Sequence, residues 1–131
     1  MRLFIQGSSS HPSVLFDIER KFLRIDGVSS MADSAQFYNN LLQWLIDHRP
    51  YILPDTRLVL RLLYLNSGTH KALFHFLREI VEERIPVQVI FIRTSRFDNT
   101  EEVELLIQIC RQVGLSCSIQ EESESSELLS G

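Results

Sequence analysis

The chain has 131 residues, 44% of them hydrophobic and 23% charged, which is enough for one ordinary globular domain and too little for two. Four of its 17 acidic residues, Glu121, Glu122, Glu124 and Glu127, fall in the last eleven positions, so the net charge of -4 belongs to the end of the chain and the body, with 13 bases, is formally neutral. A neutral body lacks the basic stripe that displaces counterions from phosphates, which argues against nucleic acid as a partner, and no apolar run approaches the roughly 20 residues of a membrane helix, so no membrane insertion is predicted.

At the N-terminus only Leu3-Phe4-Ile5 is apolar, far short of a secretory signal, and a cytoplasmic address is the expectation. Val14-Leu15-Phe16-Asp17 and Phe22-Leu23-Arg24-Ile25-Asp26-Gly27 read as strands joined by a charged connection short enough for an antiparallel hairpin. From Asp33 or Ser34, either able to cap, apolar residues at Tyr38, Leu41, Leu42 and Leu45 repeat with helical spacing until Pro50, with Phe37 and Trp44 widening the stripe. A third strand runs from Arg57 to Tyr64. The turn-prone Asn66-Ser67-Gly68-Thr69 then opens a second helix whose buried face is Leu73, Phe76, Leu77, Ile80 and Val81. Pro86 precedes a strand from Val87 to Ile92. A third helix from about Asn99 carries Val103, Leu106, Ile107, Cys110 and Val113 before Gly114, and Leu115 to Ile119 reads as a last short strand.

This order predicts a single mixed α/β domain over residues 1–120, with right-handed crossovers in a partly parallel sheet. One side of each clear strand is apolar, while the other presents Arg24, Arg57, Arg61 and Gln88, groups that a doubly covered sheet rarely buries. Helices mainly on one face of the sheet are therefore expected. Residues 121–131, acidic and serine-rich, have too little apolar surface to offset the entropy of ordering them and read as a flexible tail.

Enzyme chemistry finds little support in the residues. His70 and His75 lie five apart on a helix, about 140° round its axis, and cannot share a metal as an i,i+4 pair can. Cys110 and Cys117 match no metal spacing and read as packing residues. The five glycines are isolated, so no phosphate-cradling loop exists. Ser67 with His70 as its base lacks an orienting acid and a suitable direction. Asp98, Glu101, Glu102 and Glu104 are accounted for by the positive end of a helix dipole. No catalytic residue, metal or cofactor is expected.

The informative segment is Tyr64-Leu65-Asn66-Ser67-Gly68-Thr69-His70-Lys71. Ser67 or Thr69 has the ordinary reading of an N-cap. A hydroxyl at the end of a buried strand and the mouth of a helix is also held rigidly and stays accessible, and a phosphate there meets free backbone N–H groups and the positive end of the dipole.

Leu60-Arg61-Leu62-Leu63-Tyr64-Leu65-Asn66-Ser67, with Lys71-Ala72-Leu73 beyond, resembles the strand-to-helix segment of the SiaC family of regulatory phosphoproteins. Ser10-His11-Pro12-Ser13-Val14 with Phe16-Asp17, then Leu23-Arg24-Ile25-Asp26-Gly27, then Phe37-Tyr38 with Trp44-Leu45, are similar to the family's opening, second strand and first helix, in order, over about residues 10 to 95. The chain departs from the family pattern at Ser29-Ser30-Met31-Ala32-Asp33-Ser34, at Ser67-Gly68-Thr69 and at Phe91-Ile92-Arg93.

The resemblance implies a STAS-like fold of the anti-sigma-factor-antagonist type, with Ser67 at the phosphorylated position and Thr69 as second candidate. Asn66, Ser67, Gly68, Thr69, His70 and Lys71 would then form the partner-binding segment. It further implies a serine/threonine kinase of the anti-sigma-factor type, a PPM-type phosphatase, and a diguanylate cyclase that the unphosphorylated form binds and activates in cyclic di-GMP and biofilm signalling. The alternatives are an anti-sigma factor as partner, or a small-molecule-binding domain without phosphorylation. The chain itself would be no enzyme.

Overall fold

The computed structural model describes residues 1–122. Six strands and three helices follow in the order β1 (Arg2–Ile5), β2 (Ser13–Asp17), β3 (Phe22–Ser29), α1 (Ser34–Asp47), β4 (Thr56–Leu65), α2 (Ser67–Glu82), β5 (Val87–Thr94), α3 (Thr100–Val113) and β6 (Cys117–Glu122), with a single 3-10 turn at Arg49–Tyr51. The predicted strands and helices are all present: β2 to β5 are one or two residues longer than the hydrophobic pattern indicates, α1 stops at Asp47 short of Pro50, and β6 starts at Cys117, two residues later than expected.

Two ends differ from expectation. The N-terminal residues, too few to register as a period, form β1 against β2 with Leu3 opposite Phe16 and Phe4 opposite Leu15. Leu3 and Ile5 thereby pack on the core while Phe4 points outward. At the other end, Glu121 and Glu122 belong to β6 and are not part of a tail: Glu121 stands opposite Arg93 and Glu122 opposite Thr94 on β5. The remainder of the expected tail lies outside the described residues.

The sheet order is β1-β2-β3-β4-β5-β6, antiparallel through β3 and parallel from β3 to β6. Each parallel step crosses over through one helix, and right-handed crossovers laid down in one direction put all three helices on the same face. Registers such as Ile25 opposite Leu60 and Leu60 opposite Phe91 align the apolar positions into rows beneath those helices. One cluster accordingly joins Phe16, Leu23, Leu58 and Val89 of the sheet to Tyr38, Phe76 and Leu106 of the helices.

The opposite face carries Arg24, Asp26 and Arg61, as the alternation predicts. Arg61 donates to Asp26 at 3.1 Å and to Glu122 at 2.9 Å, and Arg24 donates to Asp26 at 2.7 Å, so three strands are linked by one ion network. The paired carboxylates hold the Arg61 guanidinium above its ordinary pKa against the opposing effect of its burial.

Where β4 and β5 part beyond Leu60 and Phe91, Asn99 bridges the gap. Its amide donates to the carbonyls of Leu62 and Ile92, each at 2.9 Å, and its oxygen accepts from the Thr94 N–H at 2.8 Å. Asn99 thus starts α3 by position, but its side chain stitches the sheet and does not cap the helix.

Candidate functional site

The site lies where β3 and β4 end side by side. A register shift follows Gly27, whose φ of +130° is open to glycine at little cost, and it brings Ser29 opposite Leu65. The Asn66 N–H then donates to the Ser29 carbonyl at 3.2 Å, fixing the point at which the chain turns into α2.

Asn66, and neither Ser67 nor Thr69, is the N-cap. It has extended backbone angles, and its side-chain oxygen accepts from the Thr69 N–H at 2.8 Å. Its amide donates in turn to the Met31 carbonyl at 3.3 Å. With the cap supplied by Asn66, Ser67 becomes the first residue of the helix. It is exposed, and its hydroxyl has no hydrogen-bond partner among the described residues.

Thr69 has the opposite environment, with none of its surface exposed. Its Oγ1 donates to the Ser29 carbonyl at 2.9 Å, and Ser29 Oγ lies 2.9 Å from both Thr69 Oγ1 and the Tyr38 hydroxyl. Because the carbonyl can only accept, the protons run one way: Tyr38 donates to Ser29, Ser29 to Thr69, and Thr69 to the backbone. Burial pushes the Tyr38 phenol up to about 12, partly opposed by its bond to Ser29, so it stays a neutral donor.

At Gly68 the start of α2 comes close to Ser34, the first residue of α1. A Cβ built on it falls 2.8 Å from Ser34 Oγ, so a side chain at 68 requires the buried Ser34 side chain to move. Lys71, exposed, stands one helical turn beyond Ser67, and His70 is half-buried.

A groove of about 500 Å³ begins at Gly68 and runs between α1 and α2, bordered by Ala32, Asp33, Ala35, Lys71 and His75. Across its mouth His11 lies 3.5 Å from Asp33 and edge-on to Phe37. The segment 66–71 is thus assembled as a unit, but three of its supports, Ser29, Met31 and Tyr38, carry no local sequence signal linking them to it.

The arrangement offers a phosphate an exposed hydroxyl, a helix N-terminus with no acidic residue in its first turn and a lysine one turn away. Within residues 66–71 no hydroxyl is hydrogen-bonded to a histidine, while at the groove mouth the Ser10 hydroxyl lies 2.9 Å from His11 Nδ1. No group of three or more His, Cys, Asp or Glu that could hold a metal occurs among the described residues, and none of their helices is long and apolar enough to cross a membrane.

No curated protein matches the chain. Among solved structures it is similar to SiaC of Pseudomonas aeruginosa, with 24% identity, a TM-score of 0.75, and coverage of 93% of this chain and 99% of that one. It is also similar, with 25% identity and a TM-score of 0.74, to a chain in the structure of the diguanylate cyclase SiaD in complex with its activator SiaC from the same organism, covering 92% of this chain and 99% of that one. Residues 5–113 match the sequence model of the SiaC family regulatory phosphoproteins. With that match spanning most of the sequence, the chain belongs to the SiaC family, whose members are regulators and not enzymes.

Proposed function

We propose that the chain is a partner-switching phosphoprotein in which the phosphorylation state of Ser67 governs binding to, and activation of, a diguanylate cyclase. The observation that carries this reading is the contrast at the mouth of α2: Ser67 is exposed with an unengaged hydroxyl, Gly68 has none, and Thr69 is sealed. A kinase can therefore reach one hydroxyl there without opening the fold. The likeness to the SiaC chain solved with its cyclase supports a cyclase over an anti-sigma factor as partner.

Phosphorylation places a charge of about -1.5 to -2 at the edge of the α1–α2 groove. A partner surface fitted to a neutral hydroxyl loses that fit, through desolvation of the phosphate and repulsion from its own carboxylates. In this reading a serine/threonine kinase of the anti-sigma-factor type writes the mark and a PPM-type phosphatase removes it.

The test is to treat the protein with the cognate kinase, map the phosphate by mass spectrometry, and measure cyclase binding and activation. Phosphate is expected on Ser67. Ser67→Ala should bind and activate the cyclase whether or not kinase is present, and Ser67→Glu should bind more weakly, the effect incomplete because a carboxylate lacks the phosphate's second charge and third oxygen. Phosphate on Thr69, or a folded Ser67→Glu that binds like wild type, would overturn the assignment.

A further inference from the structure

On the far side of the domain α3 ends and β6 begins, and two cysteines pack there on the same apolar cluster. Cys110 sits in the last turn of α3, 1% exposed. Cys117 opens β6, half-buried and packed on the same apolar cluster. Pairing with β5 sets Cys117 beside Val89, a residue of the helix-covered face, so Cys117 shares that face of the sheet. The two side chains are neighbours close enough for Cys117 to raise the Cys110 thiol's pKa, and the turn between them is held by the Leu115 N–H donating to the Cys110 carbonyl at 2.9 Å. Cys117 also borders an open cleft of about 440 Å³, shared with Val87, Gln88, Leu115 and Ser116. Neither sulfur has a part in the site at Ser67.

We propose that Cys110 and Cys117 form a dithiol modification site, closed by a hydroperoxide to an intramolecular disulfide that ties the end of α3 to the edge strand β6. The geometry gives the two sulfurs different roles. Cys117 is the sulfur that an oxidant in the cleft meets. Its thiolate attacks the peroxide, the O–O bond breaks, and a sulfenic acid and water result once the leaving oxygen takes up a proton. The Cys110 sulfur then attacks the sulfenic sulfur, the S–O bond breaks, and a second water leaves with the Cys110 proton as the S–S bond forms. Two thiols lose two electrons and the peroxide gains them. Burial, with Cys117 alongside, pushes the Cys110 thiol up to about 12, which keeps it protonated and unreactive until a sulfenic sulfur is placed against it.

The full chain, oxidised natively with hydrogen peroxide and then exposed to a maleimide, tests this. The expected product is about 2 Da lighter than the starting protein, takes up no maleimide, and returns to two free thiols with dithiothreitol. Trypsin cuts after Arg111, between the two cysteines, so a cross-linked peptide pair identifies the bond. Cys117→Ser should leave Cys110 untouched by oxidant or maleimide in the folded protein, and Cys110→Ser should let Cys117 proceed to sulfinic acid. A wild-type product about 32 Da heavier at Cys117 with Cys110 still free, disulfide-linked dimers, or no change in mass would each refute the proposal. The wild-type result stands even where a variant folds poorly.

Discussion

Ser67 and Thr69 carry the same functional group two residues apart, and their surroundings assign them opposite work. Replacing the Thr69 hydroxyl by a methyl in Thr69→Val takes one buried partner from the Ser29 hydroxyl and one from its carbonyl, which keep Tyr38 and the Asn66 N–H, at about 1 kcal/mol. Ser67→Ala removes nothing the fold uses, since Asn66 supplies the cap, and should change stability by less than about 0.5 kcal/mol. Asn66→Ala loses the cap and should cost about 0.5–2 kcal/mol. Urea unfolding of the three variants side by side checks the order. Tyr38 adds a pH signature. Its pKa in the fold is raised from 10.0 to about 12, so its contribution to stability is whole below pH 10 and is lost as the pH climbs toward 12. Tyr38→Phe should be less stable at neutral pH and should fall less steeply across that alkaline window. Ser67, the proposed acceptor, was singled out by its own neighbours, Tyr-Leu-Asn before it and Lys-Ala-Leu after. The hydroxyl chain behind it was not, because Ser29 and Thr69 are 40 residues apart and meet only once β3 and β4 are paired.

At the scale of elements, periodicity did most of the predicting. Tyr38, Leu41, Leu42 and Leu45 repeat every three or four residues, and the buried face of α1 is made of them together with Ser34. β1 escaped because four residues with two inward positions do not make a period; its partner strand defines it. Asn99 was placed correctly at the start of α3, yet its amide spans two strands that no local pattern says are separating. The alternation in β4 does yield a sharp comparison. Leu62 faces the helices and is fully buried, so Leu62→Ala should cost about 2–5 kcal/mol. Arg61 faces the other way, and Asp26 keeps Arg24 as a partner when Arg61 is removed. Arg61→Ala should therefore cost less than Leu62→Ala in urea unfolding, and that smaller cost should shrink further in high salt. Equal losses would argue against helices on one face alone.

For the molecule as a whole, the one-sided sheet has a central body and two unequal edges. β3, β4 and β5 each have a strand on both sides and helices above them, whereas β1 is a four-residue edge and β6 is held laterally by β5 alone. Hydrogen exchange should accordingly be slowest in β3, β4 and β5, and faster in β1 and β6. Uniform protection across the sheet would show that the edges do not open independently.

The spatial order of the strands is their order in the chain, so no strand ever has to insert between two that are already paired. A polypeptide emerging from the ribosome can lay this sheet down by addition at one growing edge, each helix folding back over the strands already in place. The residues that form and support the proposed acceptor site, from His11 to His75, belong to the loop before β2, to β3, α1, β4 and α2, and to the loops joining β3 to α1 and β4 to α2. Every part of the acceptor site is therefore synthesised before the last third of the domain leaves the tunnel, and β5, α3 and β6 arrive to brace a pocket whose components are already present.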